Sequence, residues 1–193
     1  MGTPHPNDEH WMRHALNLAW KGQYSTTPNP RVGCVFVRDG VAIAEGFHVR
    51  AGEGHAEVQA IAQARAQGVS LQGSTAYVTL EPCAHHGRTG PCAEALVATG
   101  VARVVAAVLD PNPLVAGKGM AILRAAGIET VQGVLVEQAR WINRGFFSRM
   151  ERKRPWVRLK VASCADGVTA LNNGTSQWIT GPEARLDGHH LRA

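Results

Sequence analysis

Apolar residues Trp11, Met12, Ala15, Leu16, Leu18 and Ala19 recur at helical spacing, with Asp8 placed to cap the segment and Gly22 to stop it. A first helix, used for packing, is expected there. Residues 25–30, Ser-Thr-Thr-Pro-Asn-Pro, form a loop by composition, since two prolines hold the backbone out of the helical region. The β-branched, apolar runs 31–38 and 41–47 are joined by Asp39-Gly40, which predicts an antiparallel hairpin. After the loop 51–54, Ala56, Val58, Ala60, Ile61, Ala62, Ala64 and Ala66 build a second helix that begins at His55 and stops at Gly68. Residues 74–80 alternate as a strand and deliver Glu81-Pro82-Cys83 at its end. A helix then starts at Pro91-Cys92, proline being favoured at the first helical position. Residues 102–109 read as a fully buried strand ending in Asp110-Pro111-Asn112-Pro113. A helix over 119–126, a strand over 128–132 and a helix over 135–150 complete an alternating order of strands and helices. That order predicts a three-layer α/β domain over residues 1–150.

The remainder, 151–193, starts with the charged linker Arg152-Lys153-Arg154-Pro155 and a strand-like segment over 156–162. Roughly forty residues do not make a core of their own. They are expected either to pack on the first domain or to open a second domain left incomplete.

Composition narrows the functional classes. At 193 residues and 45% apolar, the chain suits one well-packed domain with a small appendage. Its net charge of +5 is spread along the sequence, which suits an anionic substrate. No basic block with interleaved aromatics marks a nucleic-acid surface, so no nucleic-acid partner is expected. Residues 1–10 are polar and lack the apolar stretch of a signal peptide, and no run of about 18 apolar residues would span a membrane. A soluble, cytoplasmic protein is the expectation. In a reducing compartment the four cysteines, Cys34, Cys83, Cys92 and Cys164, point to metal binding or burial before disulfides. Cys34 falls in an apolar run and is expected in the core.

The chemistry concentrates in His55-Ala56-Glu57 and in residues 81–92, Glu-Pro-Cys-Ala-His-His-Gly-Arg-Thr-Gly-Pro-Cys. Zinc takes Cys sulfur and His nitrogen readily, and three protein ligands leave a fourth tetrahedral position open. His55, Cys83 and Cys92 are therefore read as metal ligands. His-x-Glu followed by Pro-Cys and a further Cys is the signature of zinc-dependent nucleobase deaminases, in which the Glu moves protons and does not bind metal. Residues two apart do not share a helix face, so Glu57 points beside the metal. The helix N-terminus at Cys92, with zinc adjacent, favours thiolate over thiol and makes both cysteines competent ligands. A closed structural zinc site stays open as an alternative, because His85 and His86 offer a fourth ligand. So does a zinc deaminase of another base or nucleoside.

Larger motifs narrow the reading. Pro28-Asn29-Pro30-Arg31-Val32-Gly33, His48 with His55-Ala56-Glu57, Thr79-Leu80-Glu81-Pro82-Cys83, His85-His86-Gly87-Arg88-Thr89 and Asp110-Pro111-Asn112-Pro113-Leu114-Val115-Ala116-Gly117 cover nearly all of residues 8–150. Together they resemble the deaminase domain of the bifunctional riboflavin-biosynthesis deaminase/reductase family. The eight residues between Cys83 and Cys92 match that family's longer loop, where cytidine and tRNA deaminases usually have two. The resemblance implies a cytidine deaminase-like α/β/α fold with a mixed central sheet. It also implies zinc as cofactor, Glu57 as general acid/base, and a substrate pocket lined by Asn29, His48, His85, Arg88, Asp110 and Asn112. Its implied reaction is hydrolytic deamination of 2,5-diamino-6-ribosylamino-4(3H)-pyrimidinone 5′-phosphate, with Arg88 as the residue for the phosphate. Fold analogy adds a homo-oligomer as the expected assembly.

Residues after 156 resemble the opening of the family's reductase domain, through Arg158-Leu159-Lys160, Asp166-Gly167 and Ser176-Gln177-Trp178-Ile179-Thr180-Gly181. They depart from it where Ala162-Ser163-Cys164-Ala165 replaces the usual Ala-Ala-Ser-Leu. Ser176, Trp178 and Arg192 match reductase site positions. NADPH would be a cofactor only with the rest of that domain, so reductase activity is not expected from these residues alone.

Overall fold

A computed structural model describes residues 2–85, 90–113 and 115–192. The chain divides into two compact units, Met1–Pro155 and Trp156–Ala193. In the first, α1 (Asp8–Trp20) precedes the hairpin β1 (Gly33–Arg38) and β2 (Val41–Phe47). Then follow α2 (Ala56–Ala66), β3 (Thr75–Val78), α3 (Cys92–Ala98), β4 (Arg103–Ala106), α4 (Lys118–Ala125), β5 (Glu129–Gln132), α5 (Val136–Ile142) and α6 (Arg144–Arg152). The five strands form one sheet in the order β2-β1-β3-β4-β5. β1 runs antiparallel to both β2 and β3, while β3, β4 and β5 are parallel. It is the mixed α/β/α sheet expected for a cytidine deaminase-like fold.

Period-two alternation divides the apolar side chains between two cores. Val35, Val37, Tyr77, Val105 and Val131 face α1 and α5, joining Met12, Leu16, Ala139 and Ile142. Cys34, Phe36, Ala76, Val78, Val104 and Ala106 face α2, α3 and α4, joining Ile61, Leu96, Met120 and Leu123. Cys34 is fully buried there, as its apolar surroundings predict. Asp39 and Gly40 both take positive φ, 53° and 72°, and form the turn of the predicted hairpin.

Two glycine contacts bring helix backbones close to the residues of the site. A Cβ on Gly46 of β2 would lie 2.5 Å from Ala60 N of α2, so α2 seats its alanine face directly on the strand. A Cβ on Gly119 would collide with the Pro82 carbonyl, so α4 abuts the backbone immediately before Cys83. Glu81 reinforces that contact. Its buried carboxylate accepts hydrogen bonds from the N–H groups of Asp110 (3.2 Å), Gly117 (2.9 Å) and Met120 (3.2 Å), capping α4 from outside the helix.

Four expectations need correction. Asp8 does not cap α1; Asn7 holds the N-cap position, and Asp8 turns inward to Arg103, 2.7 Å away, and to the Tyr77 hydroxyl, 2.9 Å away. The first strand begins at Gly33, not at residue 31, because the Arg31 backbone is engaged by the Asn143 side chain through N–H···Oδ1 (2.7 Å) and Nδ2–H···O (2.8 Å). That same clamp interrupts the helix expected over 135–150. Asn143 leaves helical geometry at φ −106°, and the segment splits into α5 and α6. Finally, residues 156–162 form no strand; Val157 and Leu159 are 81% and 85% exposed, with no neighbouring strand to pair them among the described residues. The regular element of the second unit is the helix α7 (Pro182–His190).

Candidate metal centre and substrate cavity

Three elements deliver the metal donors. His55 is the N-cap of α2, held in extended geometry at φ −67° and ψ 169°. Cys92 is the first residue of α3, after an N-cap Pro91 that stands one position earlier than expected. Cys83 follows β3 by five residues, and its carbonyl accepts the Ala93 N–H at 3.1 Å, tying the two cysteine segments together. His55 Nδ1 lies 3.3 Å from Cys92 Sγ and 3.6 Å from Cys83 Sγ. One ligand atom from each residue lies within 4.8 Å of the other two.

The donor set fits zinc chemically. Hydrogen bonds from the Cys92 thiol and from His55 pull the Cys83 thiol well below its usual pKa, and the Cys92 N–H adds a further contact at 3.3 Å. Its proximity to Cys83, together with burial, pushes the Cys92 thiol upward. Two adjacent thiolates are thus mutually unfavourable without a cation, and a divalent cation between them removes the conflict. Neither Glu57 nor His85 belongs to this donor group. His86, the other fourth-ligand candidate, lies outside the described residues, as does Arg88.

Glu57 occupies the first turn of α2, 3% exposed, and accepts a hydrogen bond from the Cys92 side chain. Burial raises its carboxyl pKa to about 7. A carboxyl balanced between its two forms near neutrality suits proton transfer in both directions.

These residues border a cavity of about 220 Å³. Of the six pocket residues expected, Asn29, His48, His85, Asp110 and Asn112 line it, together with Glu57, His55 and Cys83. His48 is only 2% exposed, and burial lowers its pKa, favouring the neutral ring. Its Nδ1–H donates to the Gly54 carbonyl (3.2 Å), and its Nε2 accepts from Asn29 Nδ2 (3.2 Å), which leaves the Asn29 carbonyl oxygen as the free end of that amide. The His48 ring meets His55 edge to face at 5.4 Å. Asp110 accepts the Asn112 N–H at 2.8 Å, and burial raises its pKa.

Sequence reasoning missed one wall of the cavity, Phe146, Arg149 and Met150 of α6. Their i, i+3, i+4 spacing puts an arginine on an apolar helix face, and that mixture is the signal that would have found them. In the second unit Ser176 and Trp178 line a separate hollow with Cys164 and Asp166, whereas Arg192 lies past α7 and outside it.

Residues 5–108 match the family described as the cytidine and deoxycytidylate deaminase zinc-binding region. The chain belongs to that family of zinc-binding deaminases. Residues 155–193 match the RibD C-terminal domain. Riboflavin biosynthesis protein RibD of Escherichia coli is 53% identical over 186 residues, 96% of this chain and 50% of the relative. Among solved structures, RibD of Acinetobacter baumannii superposes with a TM-score of 0.84 at 57% identity, covering 95% of this chain and 51% of that one. A diaminohydroxyphosphoribosylaminopyrimidine deaminase/5-amino-6-(5-phosphoribosylamino)uracil reductase of Thermotoga maritima reaches 0.89 at 45% identity, covering 96% and 52%. The chain spans about half the length of the curated relatives it matches. Among the described residues no helix is long and apolar enough to cross a membrane.

Proposed function

We propose that the first unit catalyses hydrolytic deamination of 2,5-diamino-6-ribosylamino-4(3H)-pyrimidinone 5′-phosphate to 5-amino-6-(5-phosphoribosylamino)uracil, a step of riboflavin biosynthesis. The observation that carries this reading is the convergence of His55, Cys83 and Cys92 beside the buried Glu57 carboxyl at one cavity. His55, Cys83 and Cys92 would hold the zinc. When bound, zinc supplies a Lewis acid that lowers the pKa of water toward neutrality. Glu57 takes a proton from the attacking water as the new C–O bond forms at the amidine-like ring carbon. Its carboxyl then returns the proton to the amine as the C–N bond breaks and ammonia leaves. Asn29, fixed by His48, presents its carbonyl oxygen to the ring, and Asp110, Asn112 and His85 supply the remaining polar contacts. Arg88 stays a candidate for the phosphate.

The relatives' names support the phosphoribosyl pyrimidine as partner over nucleic acid or membrane. A cytoplasmic enzyme agrees with the biosynthetic role that these names give, and fold analogy supports a homo-oligomer. Ammonia release from the ribotide, cytidine, deoxycytidylate, guanine and tRNA tests the substrate. The ribotide is expected to give the highest kcat/KM. Faster turnover of any of the others would overturn the substrate assignment while leaving the deaminase class intact.

A further inference from the structure

We infer that Arg149 is a specificity-determining residue of this site, binding the phosphate monoester carried by the substrate's ribose; the inference rests on the deaminase reading above. Among the described residues that line the cavity, Arg149 is the only lysine or arginine. It also stands in the right part of the cavity. Glu57 and His48 are 3% and 2% exposed, whereas Arg149 is exposed. A ring bound beside the metal donors therefore directs its ribose phosphate outward, toward the guanidinium.

The guanidinium is already positioned. Its Nη2 donates to the Pro28 carbonyl at 3.1 Å, and the group sits 5.8 Å from the Phe146 ring centroid. Pro28 directly precedes Asn29, so one contact ties the cation to the loop that holds the pocket amide. That loop is itself anchored to the start of α6 by the Arg31–Asn143 clamp. Among the described residues no carboxylate pairs with Arg149. The planar fork therefore keeps both its charge and most of its five donors for an anion, and phosphate oxygens match that geometry. The other carboxyl groups of the cavity lining are engaged elsewhere: buried Glu81 accepts three backbone N–H groups, Asp110 accepts the Asn112 N–H, and Glu57 is buried beside the metal donors.

The test is ammonia release by zinc-loaded protein from the 5′-phosphate substrate and from its dephosphorylated riboside, with Arg149→Gln, Arg149→Lys and Arg88→Gln compared with the wild type. Hydrogen bonds to charged groups correspond to roughly a 10- to 100-fold change in binding. Arg149→Gln is expected to reduce the kcat/KM preference for the phosphorylated substrate by that factor, mainly through KM, and Arg149→Lys to restore part of it. The rise of KM with ionic strength should flatten in Arg149→Gln, since a screened charge contact has been lost. An unchanged preference in Arg149→Gln, or its loss in Arg88→Gln alone, overturns the role of Arg149. A wild type inactive on both substrates removes the deaminase reading and this inference together. An active wild type with an unaltered Arg149→Gln removes only the inference.

Discussion

Glu57→Gln is expected to fold, to bind zinc as the wild type does, and to lose turnover by about 10²- to 10⁴-fold. The amide preserves the shape of a side chain that is 3% exposed, so packing changes little. What it loses is the capacity to gain and release a proton near neutrality. Because Glu57 stands apart from the His55, Cys83 and Cys92 donor group, zinc content should be unaffected. Zinc analysis beside steady-state turnover checks both halves of the claim. Full turnover with normal zinc would assign the proton transfer elsewhere, and loss of zinc would place Glu57 among the ligands.

Arg103→Ala is expected to cost about 3–5 kcal/mol of stability, because it strips a buried carboxylate of its partner. Arg103 and Asp8 are 5% and 1% exposed, and two guanidinium nitrogens reach the two Asp8 oxygens at 2.8 and 2.7 Å. Burial by itself would raise the Asp8 pKa. The hydrogen bonds from Arg103, the His5 N–H and Tyr77 outweigh it and hold the carboxyl below its ordinary value. A depressed carboxylate contributes its stability in full above the unfolded pKa, about 3.9, and loses it as pH falls through the folded value. Wild-type stability should therefore decline in acid partly through Asp8, and the Arg103→Ala protein should lack that contribution. Denaturant unfolding from neutral pH down to pH 3 measures it. A loss below about 1 kcal/mol would show that the pair is solvated in solution. Replacing both residues together, Asp8→Leu with Arg103→Met, should cost far less than the single change, since no unpaired buried charge remains; Glu129, which also meets Arg103, is 44% exposed and stays solvated.

The strands and most helices were legible because one local pattern dominated each of them. The Asp39-Gly40 turn, the alanine face of α2 and the apolar run around Val104 all agree with their tertiary surroundings. Where expectation and structure part, a long-range contact overrides the local signal. Asp8 has the composition of a cap but is drawn inward by Arg103, 95 positions away. The interruption at Asn143 has no local cause either; it exists to meet Arg31, 112 positions earlier. Residues 156–162 carry strand propensity, yet propensity does not supply a paired neighbour.

The site followed the same division. His55, Glu57, Cys83 and Cys92 were readable because metal chemistry restricts residue type and spacing. Asn29, His48, His85, Asp110 and Asn112 needed the family resemblance, since polar residues in loops carry no periodic signal. Phe146, Arg149 and Met150 fall in the segment expected as one helix over 135–150, to which no site role is assigned. They reach the cavity only because α6 restarts at Asn143, which neither composition nor spacing announces.

The most direct measurement of the central claim is ammonia release from the diaminopyrimidine ribotide as zinc is returned to chelator-stripped protein. Release should be absent without metal, rise in proportion to bound zinc, and level off at one zinc per chain. Full turnover by the stripped protein, or a zinc-saturated protein that releases no ammonia from the ribotide, would contradict the account.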